Sequence, residues 1–262
     1  MRRWFVGLIF GLAAICILTP TPAVGQASAT TPYTPPRTRD GHPDLQGVWQ
    51  VLNTAAWDLE DHNARLGVPA GQGVVEGGAI PYQPSALARK KENFDKRASL
   101  DPETKCYLPG VPRITYMPHP FQIVQSRDVI LIAYQYASAS RGIPIKARTQ
   151  EAPVDTWMGD SVGHWEGNTL VIDVTNLNAK FRLSVVGDFF SDKAHIVERL
   201  TFVDANTMTY QATITDPTVF TRPWTLRVDE RRVPDAEMWE FACYEGERSA
   251  DHLLLKTEAD KK

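Results

Sequence analysis

Cysteine is scarce in this chain. Three occur in 262 residues and no Cys-x-x-Cys pair is present, which excludes a disulfide-framework domain and the common zinc-finger spacings. No Lys/Arg-rich stretch supports a nucleic-acid partner, and 28 basic residues stand against 31 acidic ones for a formal charge of −3, so nothing points to one. Gly-x-Gly-x-x-Gly, a Walker loop and His-Glu-x-x-His are all missing. No cofactor is therefore expected, because the turns that cradle phosphates and the helix face that holds zinc have no sequence counterpart. No apolar run reaches the ~20 residues a helix needs to cross a bilayer. What is present is ordinary for a globular protein, with 43% apolar and 23% charged residues. Disordered and fibrous classes are thereby excluded.

The amino terminus has the layout of a secretory signal. Arg2 and Arg3 precede an uncharged apolar run, Phe5 to Leu18, of 14 residues, and Pro20 and Pro22 end it. Ala23 and Gly25 then place small residues at the −3 and −1 positions of a cleavage site. A lipoprotein reading fails at Cys16, since a large Ile15 precedes it. An uncut anchor and a twin-arginine signal remain alternatives to ordinary export. Cleavage after Gly25 leaves Cys106 and Cys243 as the two thiols of an exported chain, and an oxidising compartment predicts a disulfide between them. After export no membrane span remains. The expected organisation is a signal at 1–25, a flexible Pro/Thr/Ser-rich leader at 26–39, one β-rich domain at 40–250 and a polar tail at 251–262.

Residues 53–115 are punctuated by Gly71, Gly73, Gly77, Gly78, Pro81 and Pro84. Within them only Ser85 to Ser99 reads as a helix, with Ser85 as N-cap and few apolar residues, hence a surface helix. From Pro120 onward the pattern is hairpins. Phe121–Gln125 and Val129–Ala137 flank Ser126-Arg127-Asp128. His164-Trp165 and Thr169–Thr175 flank Glu166-Gly167-Asn168, and His195–Val203 and Thr207–Thr215 flank Asp204-Ala205-Asn206. Trp224–Arg232 and Met238–Tyr244 flank Pro234-Asp235-Ala236. No strand–helix–strand rhythm appears, which argues against a parallel sheet. The fold class is all-β. Gly47-Val48-Trp49 near the start of the domain matches the Gly-x-Trp with which lipocalin-type barrels often begin, its tryptophan plugging the barrel floor. An antiparallel lipocalin-like barrel or strongly curved sheet is expected, with a β-sandwich as the alternative.

Seven strings taken together resemble a large family of exported bacterial proteins of unassigned function. They are Gly73 to Tyr82 (GVVEGGAIPY), Lys105 to Arg113 (KCYLPGVPR), Pro120 to Val124 (PFQIV), Trp157 to Gly159 (WMG), Gly163 to Gly167 (GHWEG), His195 to Arg199 (HIVER) and Phe220 to Trp224 (FTRPW). The resemblance spans Asp40 to about Glu245 and implies no particular chemistry. Asn168 departs from the acidic residue common after the hairpin glycine.

His195 and Arg199 lie two strand positions apart on one face, about 7 Å along it. If that face lines a cavity, His195 is a candidate proton carrier and Arg199 an anchor for a carboxylate or enolate oxygen. Tyr116, a hydrogen-bond donor in a proline-rich loop, and Asp155, which could orient a histidine, complete the catalytic candidates. Glu76 beside Gly77-Gly78, Trp157 in an acidic aromatic loop, His164 at a hairpin mouth and the strand residue Trp224 are candidate substrate contacts. His119, between two prolines, is a further histidine that could join a polar cluster. Gly159-Asp160-Ser161-Val162-Gly163 has the Gly-x-Ser-x-Gly form but lacks the preceding strand and following helix of a nucleophile elbow. His195 and Glu198 point to opposite faces, so a metal site would need ligands from distant strands. The function these residues suggest is an exported lyase, isomerase or hydrolase using acid–base chemistry on a small, partly apolar, oxygenated compound. A non-catalytic carrier of a small hydrophobic ligand and a cell-envelope interaction module are the alternatives.

Overall fold

A computed structural model describes residues 33–146, 154–241 and 243. The signal-like run, residues 26–32 of the leader and the polar tail lie outside the described residues. Strands β1 (Gly47–Gln50), β2 (Phe121–Gln125), β3 (Val129–Tyr134) and β4 (Ser140–Pro144) are followed by β5 (Asp160–Glu166) and β6 (Thr169–Thr175). The longest strands complete the set: β7 (His195–Asp204), β8 (Thr207–Thr215) and β9 (Trp224–Arg232). All pair antiparallel in one sheet of order β4-β3-β2-β1-β9-β8-β7-β6-β5. The sheet curls until its end strands nearly meet, so the architecture is barrel-like rather than a sandwich. Across the seam Arg141 Nε of β4 donates to Ser161 Oγ of β5 at 2.8 Å. A side chain at Gly163 would clash with Ile143, which is why glycine allows this close approach.

Alternation sorts each strand into an inner and an outer face. Ile123, Ile132, Ile172, Ile196, Leu200, Met208 and Leu226 point inward and are buried. Trp49 is also fully buried; its indole N–H donates to the Leu45 carbonyl at 3.0 Å and Arg232 lies over its ring. Two buried acids share this interior. Glu198 accepts from both Arg141 amino groups and from the Tyr210 hydroxyl. Glu230 is fully buried and neither of its oxygens has a hydrogen-bond partner.

The hairpins form at the expected turns with one exception. Residues 238–241 of the expected last strand are irregular, and Ala242 and Tyr244 lie outside the described residues. Pro234 starts a path that leaves the sheet instead of returning along it. The helix begins earlier than expected, as α1 (Pro84–Asp95), and a short α2 (Arg97–Leu100) follows it. Gln83, not Ser85, occupies the N-cap and gives no side-chain cap bond; Pro84 supplies the start, its fixed φ suiting the first helical position. Tyr33, from the expected leader, packs against Phe202. Among the described residues no helix is long and apolar enough to cross a membrane.

Candidate functional site

A cavity of about 400 Å³ lies where β2 begins and β3 ends. Its floor comes from the least regular stretch of sequence. Asp101 caps a 3-10 turn, Pro102–Lys105, by accepting from the Glu103 N–H at 3.1 Å, which holds Glu103 at the cavity. The turn ends at Cys106 in the left-handed conformation, and Cys106 is bonded to Cys243 with Cα atoms 5.7 Å apart. The disulfide expected from counting thiols is thus present, and both halves line the cavity. Helix α3 (Arg113–Tyr116) supplies Arg113, and the segments next to β2 and β3 supply His119 and Tyr136. Phe241 closes one side, held by Ser138 Oγ donating to its carbonyl at 3.3 Å.

The electrostatics centre on Arg113 and Glu103. Arg113 is almost fully buried; its Nε lies 3.0 Å from Glu103 Oε1 and its Nη1 3.4 Å from Asp101 Oδ2. The same guanidinium donates to the carbonyls of Arg182 and Ala56 at 3.2 and 3.5 Å. The side chain of Glu103 keeps 15% exposure. Burial pushes its carboxyl up to about 7; Arg113 opposes that rise and the Asp101 charge adds to it. Tyr136 donates its hydroxyl to Glu103 Oε2 at 3.5 Å, and burial first, then the Glu103 charge, holds that phenol above its usual range. His119 packs against Tyr136 and Phe241 at 4.9 and 6.0 Å between ring centres. Burial lowers its pKa, which keeps the imidazole neutral at neutral pH. A carboxyl titrating near neutrality at the foot of a concave, partly apolar site is suited to proton transfer.

Of the side chains singled out in the sequence, His119 lines this cavity and the eight catalytic and substrate-contact candidates lie elsewhere. His195 and Arg199 stand on the outer face of β7, and the inner face carries Ile196, Glu198 and Leu200. The premise that the His195 face lines a cavity therefore does not hold. His195 Nε2 is 3.1 Å from Asp173 Oδ1, whose other oxygen is 3.8 Å from His164 Nδ1. Glu166 links His164 at 3.3 Å to Arg199 at 2.6 Å. This chain of charges lies on the open sheet surface, where ion pairs contribute little. Tyr116 is buried and donates to the Leu183 carbonyl at 2.5 Å. Trp224 is buried in the barrel, edge-on to Phe220. Glu76 is exposed and accepts from Gln211 Nε2 at 2.9 Å, while Gly77 and Gly78 form the tight turn their positive φ allows. Trp157 stacks on Tyr107 at 5.4 Å, and Asp155 is exposed. Ser161 lies within β5 as the acceptor of Arg141, not on a nucleophile elbow. Among the described residues no three His, Cys, Asp or Glu side chains are arranged to hold a metal ion.

The sequence did not single out Asp101, Glu103, Arg113 and Phe241. The expected disulfide held a signal for them. It joins the neighbourhood of residue 106 to that of residue 243, and two acids precede Cys106 within five residues. The chain matches no protein-family model and no curated protein, so the site is read from its own geometry.

Proposed function

We propose that this protein is an exported enzyme that moves a proton on a small, partly apolar, oxygenated compound bound in the Glu103 cavity. One observation carries the reading: Glu103 is a mostly buried carboxyl that opens onto the cavity beside Arg113, where burial pushes it up toward neutrality. A carboxyl raised in this way serves as acid or base with little driving force wasted. Arg113, fixed beside it, stabilises the carboxylate when the proton leaves. Tyr136 orients one carboxyl oxygen by donating its hydroxyl to it, and leaves the hydroxyl oxygen as an acceptor for the substrate. The reaction class is that of a lyase, isomerase or hydrolase needing no cofactor. The signal-like amino terminus and the disulfide support export.

Native mass spectrometry after incubation with a small-molecule extract of the producing culture tests this. A ligand that binds and is converted establishes an enzyme, and its structure gives the rate assay. Glu103→Gln is then expected to lower turnover by about 10²–10⁴-fold and to remove an ionisation near pH 7 from the kcat/KM profile. His195→Ala, on the outer face, leaves turnover unchanged. A ligand that binds and is never converted makes the protein a carrier. Full turnover in Glu103→Gln, or its loss in His195→Ala, overturns the site.

A further inference from the structure

Accepting the Glu103 cavity as the site, its lining also limits what enters. One wall is aromatic. The Tyr136 and Phe241 rings lie 4.6 Å apart at 45°, and His119 packs against both. Flat rings extend such a cluster by offset or edge contacts that a puckered ring cannot make. The floor is electrically balanced. Arg113 is buried: its Nη atoms donate to Asp101 and two backbone carbonyls, and its Nε faces Glu103 Oε1 at 3.0 Å without a hydrogen bond and away from the surface, so it offers an anion no accessible donor edge. The other lining guanidinium, Arg97, donates to the Phe94 carbonyl at 3.0 Å and lies over the Phe94 ring. An incoming ammonium would meet acids that Arg113 already neutralises. The polar groups left for a ligand are the Glu103 carboxyl, which accepts when ionised and donates when protonated, the lone pairs of the Tyr136 hydroxyl, whose proton goes to Glu103, and the His119 imidazole. A volume of about 400 Å³ is at the small end for ligand cavities.

We infer that the cavity takes a neutral, flat ring compound bearing a hydroxyl or carbonyl oxygen. The oxygen sits on Glu103 and Tyr136, and the ring packs against Phe241 and His119. Calorimetry at pH 6.5 on the disulfide-intact protein, with five probes, tests it. Phenol and acetophenone have the required shape and charge. Cyclohexanol keeps the oxygen but not the flat ring, benzoate adds a negative charge and benzylammonium a positive one. Phenol and acetophenone are expected to bind at least tenfold more tightly than the other three. Phe241→Ala should weaken phenol at least fivefold, and Phe241→Leu, which keeps the bulk, at least threefold, with circular dichroism unchanged in both. Cyclohexanol equal to phenol removes the flat ring from the inference. Benzoate or benzylammonium equal to phenol removes neutrality. In either case a continued loss in Phe241→Ala leaves the cavity itself as the site. No binding by any probe, or phenol binding indifferent to both Phe241→Ala and Glu103→Gln, overturns the inference and the site reading together.

Discussion

Glu103 and Glu230 are acids of one kind placed in two environments. Glu103 has an arginine beside it and a cavity in front. Glu230 has no hydrogen-bond partner, and burial, reinforced by the Glu198 charge, pushes its carboxyl well above the ordinary range. The folded protein therefore holds a proton on Glu230 that the unfolded chain releases above about pH 4.5. Stability from that proton is complete below pH 4.5 and is lost as pH rises toward the folded value. Glu230→Gln carries no such proton. Its unfolding free energy relative to the parent should rise with pH above about 4.5, by up to about 1.4 kcal/mol per pH unit, until the folded value of Glu230 is reached. Urea titrations at several pH values check this; a difference independent of pH refutes the protonated state. Neither acid could be singled out from sequence, because a carboxyl's desolvation depends on what distant segments pack over it. The Glu230 position was nevertheless readable as inward, since Trp224, Leu226 and Val228 precede it on the same alternation.

At the scale of elements, the turn residues and the period of two were legible. Ser126, whose Oγ donates to the Val129 carbonyl, closes the β2–β3 hairpin where the sequence placed it. Which face of β7 turns inward was also written in the strand. Ile196, Leu200 and Phe202 outweigh His195, Arg199 and Thr201 in apolar character, and burial follows the apolar set. How α1 is held was not legible. The loop 184–188 grips it from below. Asn93 Nδ2 donates to the Gly187 carbonyl at 3.0 Å, Lys90 pairs with Asp188 at 2.8 Å, and Tyr82 and Ser184 donate to the same carboxylate. Gly187 has φ +93° and a Cβ there would lie 2.6 Å from the Lys90 carbonyl. Gly187→Ala is expected to cost about 2–4 kcal/mol, strain and collision together. Gly77, at φ +85° with open space around it, should cost only about 1 kcal/mol as alanine. Equal denaturation midpoints for the two variants would show that the loop does not clamp the helix.

For the whole molecule, the Cys106–Cys243 bond spans 137 residues and thus encloses β2 through β9. The chain-entropy argument gives such a cross-link about 5 kcal/mol, or roughly 10–20 °C in Tm for a domain of this size. A variant with both cysteines changed to serine should fold to the same circular dichroism spectrum and melt lower by that amount. A drop of only a few degrees would mean that the barrel's own packing already restrains the ends. The bond also ties the Phe241 segment to the turn bearing Glu103, so the covalent staple and the candidate site coincide.

The sequence by itself determined the all-β class, three of the four hairpin turns and the pairing of Cys106 with Cys243. These follow from local chemistry: alternation over a few residues, turn formers between apolar runs, and two thiols left after a signal-like segment. Tertiary structure alone decided which acids lose water and that residues 101–119, 136 and 241 meet around one cavity. Those outcomes depend on the curl that brings β4 to β5 and on segments more than a hundred residues apart. A sequence of hairpins specifies neighbours along the chain, whereas desolvation and convergence are properties of the closed sheet.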